Sequence, residues 1–139
     1  MTIGSYADLL KAAIRQAEPQ RLLFVFAEAE LPGDHTDAQK RRFQAREGGA
    51  LSPVMCVDKL PHELGSFASL VEESLETGKN WDIVFVSSLS GRAGAAPDSD
   101  QAVAPLKMMI EAVKSGAIGN FLVFNRKGDL VQLRQGNPG

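Results

Sequence analysis

Two unbroken apolar runs dominate the hydrophobic pattern, residues 22–27 (Leu-Leu-Phe-Val-Phe-Ala) and residues 83–86 (Ile-Val-Phe-Val). Both are of strand length and apolar at odd and even positions alike, so they read as central strands buried on both faces. Helical spacing surrounds them. Ser5 and Asp8 resemble a capping box ahead of Tyr6, Leu9, Leu10, Ala13 and Ile14, which predicts a first helix to about Ala17, stopped by Pro19. Phe67, Leu70, Val71 and Leu75 share a face opposite Glu72, Glu73 and Glu76, predicting a helix from Ser66 with Gly78 as a left-handed cap. Val103, Leu106, Ile110 and Val113 recur at intervals of three and four, predicting a helix from about Ser99 with Gly116 past its end, or one whose true first turn is marked by Pro105.

Shorter signals complete the chain. Val54-Met55-Cys56-Val57 reads as a short buried strand closed by Asp58, Lys59 and Pro61. Phe121-Leu122-Val123-Phe124 and Leu130-Val131-Gln132-Leu133 flank a turn with Gly128 at a left-handed position, the pattern of a β-hairpin. Residues 28–53 are polar, with a weakly amphipathic helix around 36–46 in which Phe43 is the sole large apolar residue, so a mobile or partner-dependent segment is expected there. Residues 135–139 read as a frayed tail. The order of helices and strands predicts an α/β three-layer sandwich: a mainly parallel sheet of about five strands, covered on both faces, with a C-terminal antiparallel hairpin. Neither an internal repeat nor a second composition block divides residues 1–139, which predicts a single domain.

Composition narrows the class of function. With 44% hydrophobic and 23% charged residues the chain matches ordinary globular proteins, so it is expected to fold unaided. Its apolar runs fall far short of the ~20 residues of a transmembrane helix. The start of the chain lacks the pattern of a secretory signal, and Cys56 has no second cysteine to pair with; both favour a cytoplasmic location. A net charge of −2 from interspersed charges disfavours a nucleic-acid partner. The one basic cluster, Lys40, Arg41, Arg42 and Arg46, spreads around its helix without aromatic interleaving and reads as a solvated face.

Candidate chemistry is sparse. In an open α/β sheet of this kind ligands bind beyond the carboxyl ends of the parallel strands, which selects the loops after residues 22–27 and 82–87. The second offers Ser87, Ser88, Ser90, Gly91, Arg92 and Gly94: hydroxyls, backbone amides and one guanidinium suited to a small phosphate or carboxylate ligand. It matches neither the Walker nor the GxGxxG pattern, so a plain surface connection competes with that reading. The first offers Glu28, Glu30, Asp34, His35 and Asp37, which lack a recognised metal-ligand spacing and read chiefly as loop and helix-start acids. The tentative ligand set is Ser88, Ser90, Gly91, Arg92 and Glu28, with no cofactor and no metal expected. No GxSxG elbow is present, and Cys56 lies in an apolar run where a thiol is usually buried and inert, with Asp58 and His62 near it only in sequence; no catalytic motif is found, which leans the reading toward a noncatalytic chain without closing the enzyme alternative. Trp81 reads as a core or rim anchor, Met108 and Met109 as gap-fillers beneath their helix. The strand at residues 130–133 is expected at a sheet edge, where unpaired backbone groups would favour a homo-oligomer unless Lys127 and Arg134 blunt it.

Residues 22–32 and 55–61, and Trp81-Asp82-Ile83-Val84-Phe85-Val86 with the following Ser90-Gly91-Arg92, resemble a family of small uncharacterised bacterial proteins, some labelled ribonucleotide reductase subunit alpha. The catalytic subunit of that enzyme is a large barrel with several redox-active cysteines. A chain of 139 residues with one cysteine has neither, so the resemblance implies no activity. Two functions remain open: a noncatalytic interaction or regulatory domain that is homo-oligomeric, and a binder or enzyme for a small anionic metabolite.

Overall fold

A computed structural model of the chain describes residues 5–30, 50–119 and 121–131. The elements are α1 (Tyr6–Ile14), β1 (Gln20–Glu30), β2 (Ala50–Lys59), a 3-10 turn (Pro61–Glu63), α2 (Phe67–Leu75), β3 (Ile83–Ser90), α3 (Ser99–Ser115) and β4 (Leu122–Asn125). Local signals set most helix ends. The Ser5 hydroxyl accepts from the Asp8 amide and the Ser66 hydroxyl from the Ser69 amide, each satisfying an orphan donor of a first turn. Asp98 and Gln101 close a reciprocal capping box at α3, whose far end carries Gly116 at φ +82°. Pro105 therefore lies inside α3 rather than in its first turn.

The strands form one sheet in the order β2-β1-β3-β4, and every adjacent pair is antiparallel. This corrects the expected mainly parallel sheet of about five strands. β2 and β3 do run the same way, with α2 between them in sequence, but β1 sits between them in the sheet; β4 and β1 are likewise separated by β3. Strands of like direction never become neighbours. Unbroken apolar runs report burial on two faces, and helices on both sides of an antiparallel sheet supply that burial as well as a parallel fold does.

On one face Leu22, Phe24, Phe26, Val84, Val86 and Phe124 meet Tyr6, Leu9 and Ala13 of α1 and Leu70 of α2. On the other, Leu23, Val25, Ala27, Ile83, Phe85 and Val123 meet Ala102, Leu106, Met109 and Val113 of α3. The first face is the aromatic one: Trp81 is buried edge-on to Phe26 at 4.9 Å, its indole Nε1–H donating to the buried Ser74 hydroxyl at 2.7 Å. Trp81 is thus a core anchor. Beneath α3, Leu106 and Val113 are buried as expected, but Ala102 and Met109 take the places of Val103 and Ile110 in the buried stripe, so Met109 fills the core while Met108 is 73% exposed and Val103 47% exposed.

β2 is longer and less buried than its four-residue apolar motif suggests, because it is an edge strand. Its Cys56 is exposed, correcting the expected buried thiol. A bulge between Phe26 and Ala27 in the β1 register brings Met55 and then Pro53 opposite them, leaving Val54 as the extra residue. The C-terminal turn forms as expected, with Gly128 at φ +86°, Phe124 bridged to Leu130, and the Val131 amide donating to the Val123 carbonyl at 2.8 Å. Residues 132–133 of the return strand, the 135–139 tail and the helix expected around 36–46 lie outside the described residues. No helix among the described residues is long and apolar enough to cross a membrane.

Candidate functional site

Antiparallel pairing separates the two loops that a parallel sheet would have brought together. Gln20 pairs with Ser90 and Ala27 with Ile83, so the end of β1 lies beside the start of β3. Glu28, exposed and opposite Ser52, is therefore at the other end of the sheet from Ser90, Gly91 and Arg92, roughly 25 Å away at ~3.4 Å per residue. Glu28 shares no site with them. Of the other residues in its loop, Asp34, His35 and Asp37 lie outside the described residues, as do Lys40, Arg41, Arg42 and Arg46.

The segment after β3 uses its own polar groups. Ser87, Ser88 and Ser90 belong to β3 itself. The Gly91 amide donates to the Pro19 carbonyl at 2.8 Å, and a Cβ at Gly91 would stand 2.0 Å from the Ala95 carbonyl oxygen, so only glycine fits. Arg92 and Ala95 exchange backbone hydrogen bonds of 3.0 and 2.9 Å around Ala93 and Gly94, whose φ values of +52° and +80° make a tight hairpin turn of the primed type. The Gly94 amide donates to the Glu18 carboxylate at 2.8 Å. The amides that would cradle an external anion are thus satisfied, one of them by the chain's own carboxylate. Arg92 remains exposed beside a hollow of about 510 Å³ that Ser90, Pro97 and Gln101 help to line.

Two polar side chains that open β1, Gln20 and Arg21, organise this end of the sheet. Both are buried and they face opposite ways. The Gln20 amide nitrogen donates to the Glu18 carbonyl at 3.0 Å and to the Ser90 hydroxyl at 2.9 Å, while the Ser88 hydroxyl donates to its carbonyl oxygen. Beside this triad, between α1 and the sheet, lies a cleft of about 350 Å³. On the α3 side, Arg21 pairs with Asp58 of β2 and donates from Nε to the Pro97 carbonyl at 2.6 Å. The Ser99 hydroxyl donates to the same Asp58 oxygen at 2.7 Å. These bonds tie β1, β2 and the start of α3 together. Sequence reasoning began this strand at Leu22 and so passed over Gln20 and Arg21. The available signal was two strongly polar residues directly ahead of a wholly apolar run.

Among the described residues the candidate nucleophile is not activated. Although Cys56 is exposed, partial desolvation of its thiol, and then the negative charge of Asp58, push the thiol upward, which disfavours the reactive thiolate. Asp58 is itself engaged by Arg21 and Ser99, and His62 sits exposed in the 3-10 turn. Among the described residues no group of three or more His, Cys, Asp or Glu side chains is placed to hold a metal ion. No protein-family model matches the chain, and comparisons with curated proteins and with solved structures found no match.

Proposed function

We propose that this chain is a noncatalytic interaction domain that assembles with copies of itself through the β2 edge. One observation carries this reading: β2 is a ten-residue strand, and β1 is its sole strand partner among the described residues. A strand edge offers alternating N–H and C=O groups that another strand satisfies, and antiparallel edge pairing about a two-fold axis is self-complementary, the commonest symmetry of oligomers. Pro53 and the neighbouring bulge confine such pairing to residues 55–59. The half-buried Met55 and Val57 supply apolar contact on one face there, and Cys56 on the other. The lone cysteine suits a reducing compartment, which supports a cytoplasmic location.

Native mass spectrometry across a dilution series, combined with hydrogen exchange, tests the proposal. A dimer or larger closed assembly is expected, with protection of amides 55–59 that increases with protein concentration. A monomer at every concentration, or exchange in 55–59 that ignores concentration, would overturn it. The rival reading, a small anionic ligand at Ser88, Ser90, Gly91 and Arg92, retains the exposed Arg92 as its support but has lost the Gly91 and Gly94 amides to internal bonds. It requires Arg92→Ala to weaken binding of inorganic phosphate.

A further inference from the structure

We propose that the cleft between α1 and the sheet binds an uncharged molecule with a compact apolar body and a hydrogen-bond-donating head such as a primary amide or an alcohol. Its volume of about 350 Å³ lies at the lower end of small-molecule sites. Leu9, Ala13, Leu22 and Val86 give it an apolar lining, and no ionisable side chain lines it among the described residues. Ala12 and Ala13 of α1 leave the room that larger side chains would fill. Its polar wall is the buried Gln20, 7% exposed, together with Ser88; the exposed Gln16, whose amide nitrogen donates to the Ala12 carbonyl, and Ser87 complete the polar lining.

The hydrogen bonds of that wall determine what it offers. The Glu18 carbonyl can only accept, so the Gln20 atom facing it is the amide nitrogen, which fixes the orientation of the side chain. Both N–H donors of that nitrogen are then spent, on Glu18 and Ser90. The Gln20 carbonyl oxygen keeps one lone pair beyond the Ser88 bond, and Ser88, having given its proton to Gln20, keeps its oxygen lone pairs. At the end formed by the buried Gln20 and its partner Ser88, the wall therefore presents acceptors. A carboxylate or phosphate brings only acceptors and meets no cation in the lining; an ammonium meets no carboxylate there. A neutral N–H or O–H donor on an apolar body is the complement. This site does not depend on self-association through β2.

Titration of ¹⁵N-labelled protein with hexanamide, followed by amide chemical shifts, tests the assignment, with hexanoate as the charged control. Saturable shifts at Leu9, Ala13, Leu22 and Ser88 are expected, with hexanoate at least about tenfold weaker. Ala12→Leu, a good helix former that fills the cleft, should abolish the hexanamide shifts; Ser88→Ala, at an exposed position, should weaken binding about three- to tenfold. Absence of saturable shifts, equal binding of hexanoate, or unaltered binding in Ser88→Ala would each overturn the proposal, the last even if Ala12→Leu fails to fold.

Discussion

Gln20 and Arg21 are adjacent in sequence, equally buried and on opposite faces of β1, yet their surroundings differ in kind. Arg21 carries a charge out of water, which is tolerated only when the charge is paired and its donors are taken up. The Asp58 carboxylate, the Pro97 carbonyl and the Ser99 hydroxyl meet those needs and join three elements on that face. Gln20 is neutral, so its burial demands less, and its triad with Ser88 and Ser90 leaves spare acceptors beside a cleft. A buried charge closes its side of the sheet; a buried amide can leave its side open.

The largest effect expected from breaking this contrast is at Arg21. Arg21→Ala leaves the Asp58 carboxylate partly buried without its cation, and urea unfolding should show a loss of about 3–4 kcal/mol. The double variant Arg21→Met with Asp58→Leu should regain most of it, because removing both charges also removes their desolvation cost.

On the Gln20 face, burial pushes the Tyr6 hydroxyl up from 10.0 to about 12, and among the described residues that hydroxyl has no hydrogen-bond partner. The folded state therefore keeps a proton that the unfolded chain releases between those values. Stability from this group is intact below pH 10 and falls by roughly 2–3 kcal/mol as pH rises to about 12. In Tyr6→Phe that part of the alkaline decline should disappear, with stability at neutral pH altered by less than about 1 kcal/mol because no hydrogen bond is lost. Denaturant titrations across the alkaline range measure both.

Gly91 holds the turn after β3 against Pro19, next to both networks. Gly91→Ala forces the Ala95 carbonyl to move, and a cost of about 1–3 kcal/mol in thermal or urea unfolding is expected. The smallest effect concerns Cys56. Neutralising Asp58 in Asp58→Asn removes one of the two causes that raise the thiol, so alkylation by iodoacetamide should become faster at slightly alkaline pH; an unchanged rate would show that burial alone governs it.

Much of the local structure was legible in the sequence. Ser5, Ser66 and the Asp98–Gln101 pair cap the helices, Gly116 and Gly128 adopt their left-handed turns, and the runs at 22–27 and 83–86 form the two central strands. These depend on the conformational limits of single residues and on periodicity, which act over a few positions. The candidate site was legible only in part. Ser88, Ser90, Gly91 and Arg92 lie together at one end of the sheet, but Glu28 lies at the other, and the residues that shape the region, Glu18, Gln20 and Arg21, carry no motif.

What the sequence determined by itself was therefore where most of the described helices and strands lie and that the runs at 22–27 and 83–86 are buried on two faces. Strand direction and neighbours belong to the tertiary structure alone, because an apolar run meets the same burial in a parallel or an antiparallel sheet. The same limit applies to the polar groups: whether an amide, a hydroxyl or a guanidinium is free for a ligand depends on partners such as Gln20 and Ser90, 70 positions apart along the chain, and only folding brings those together.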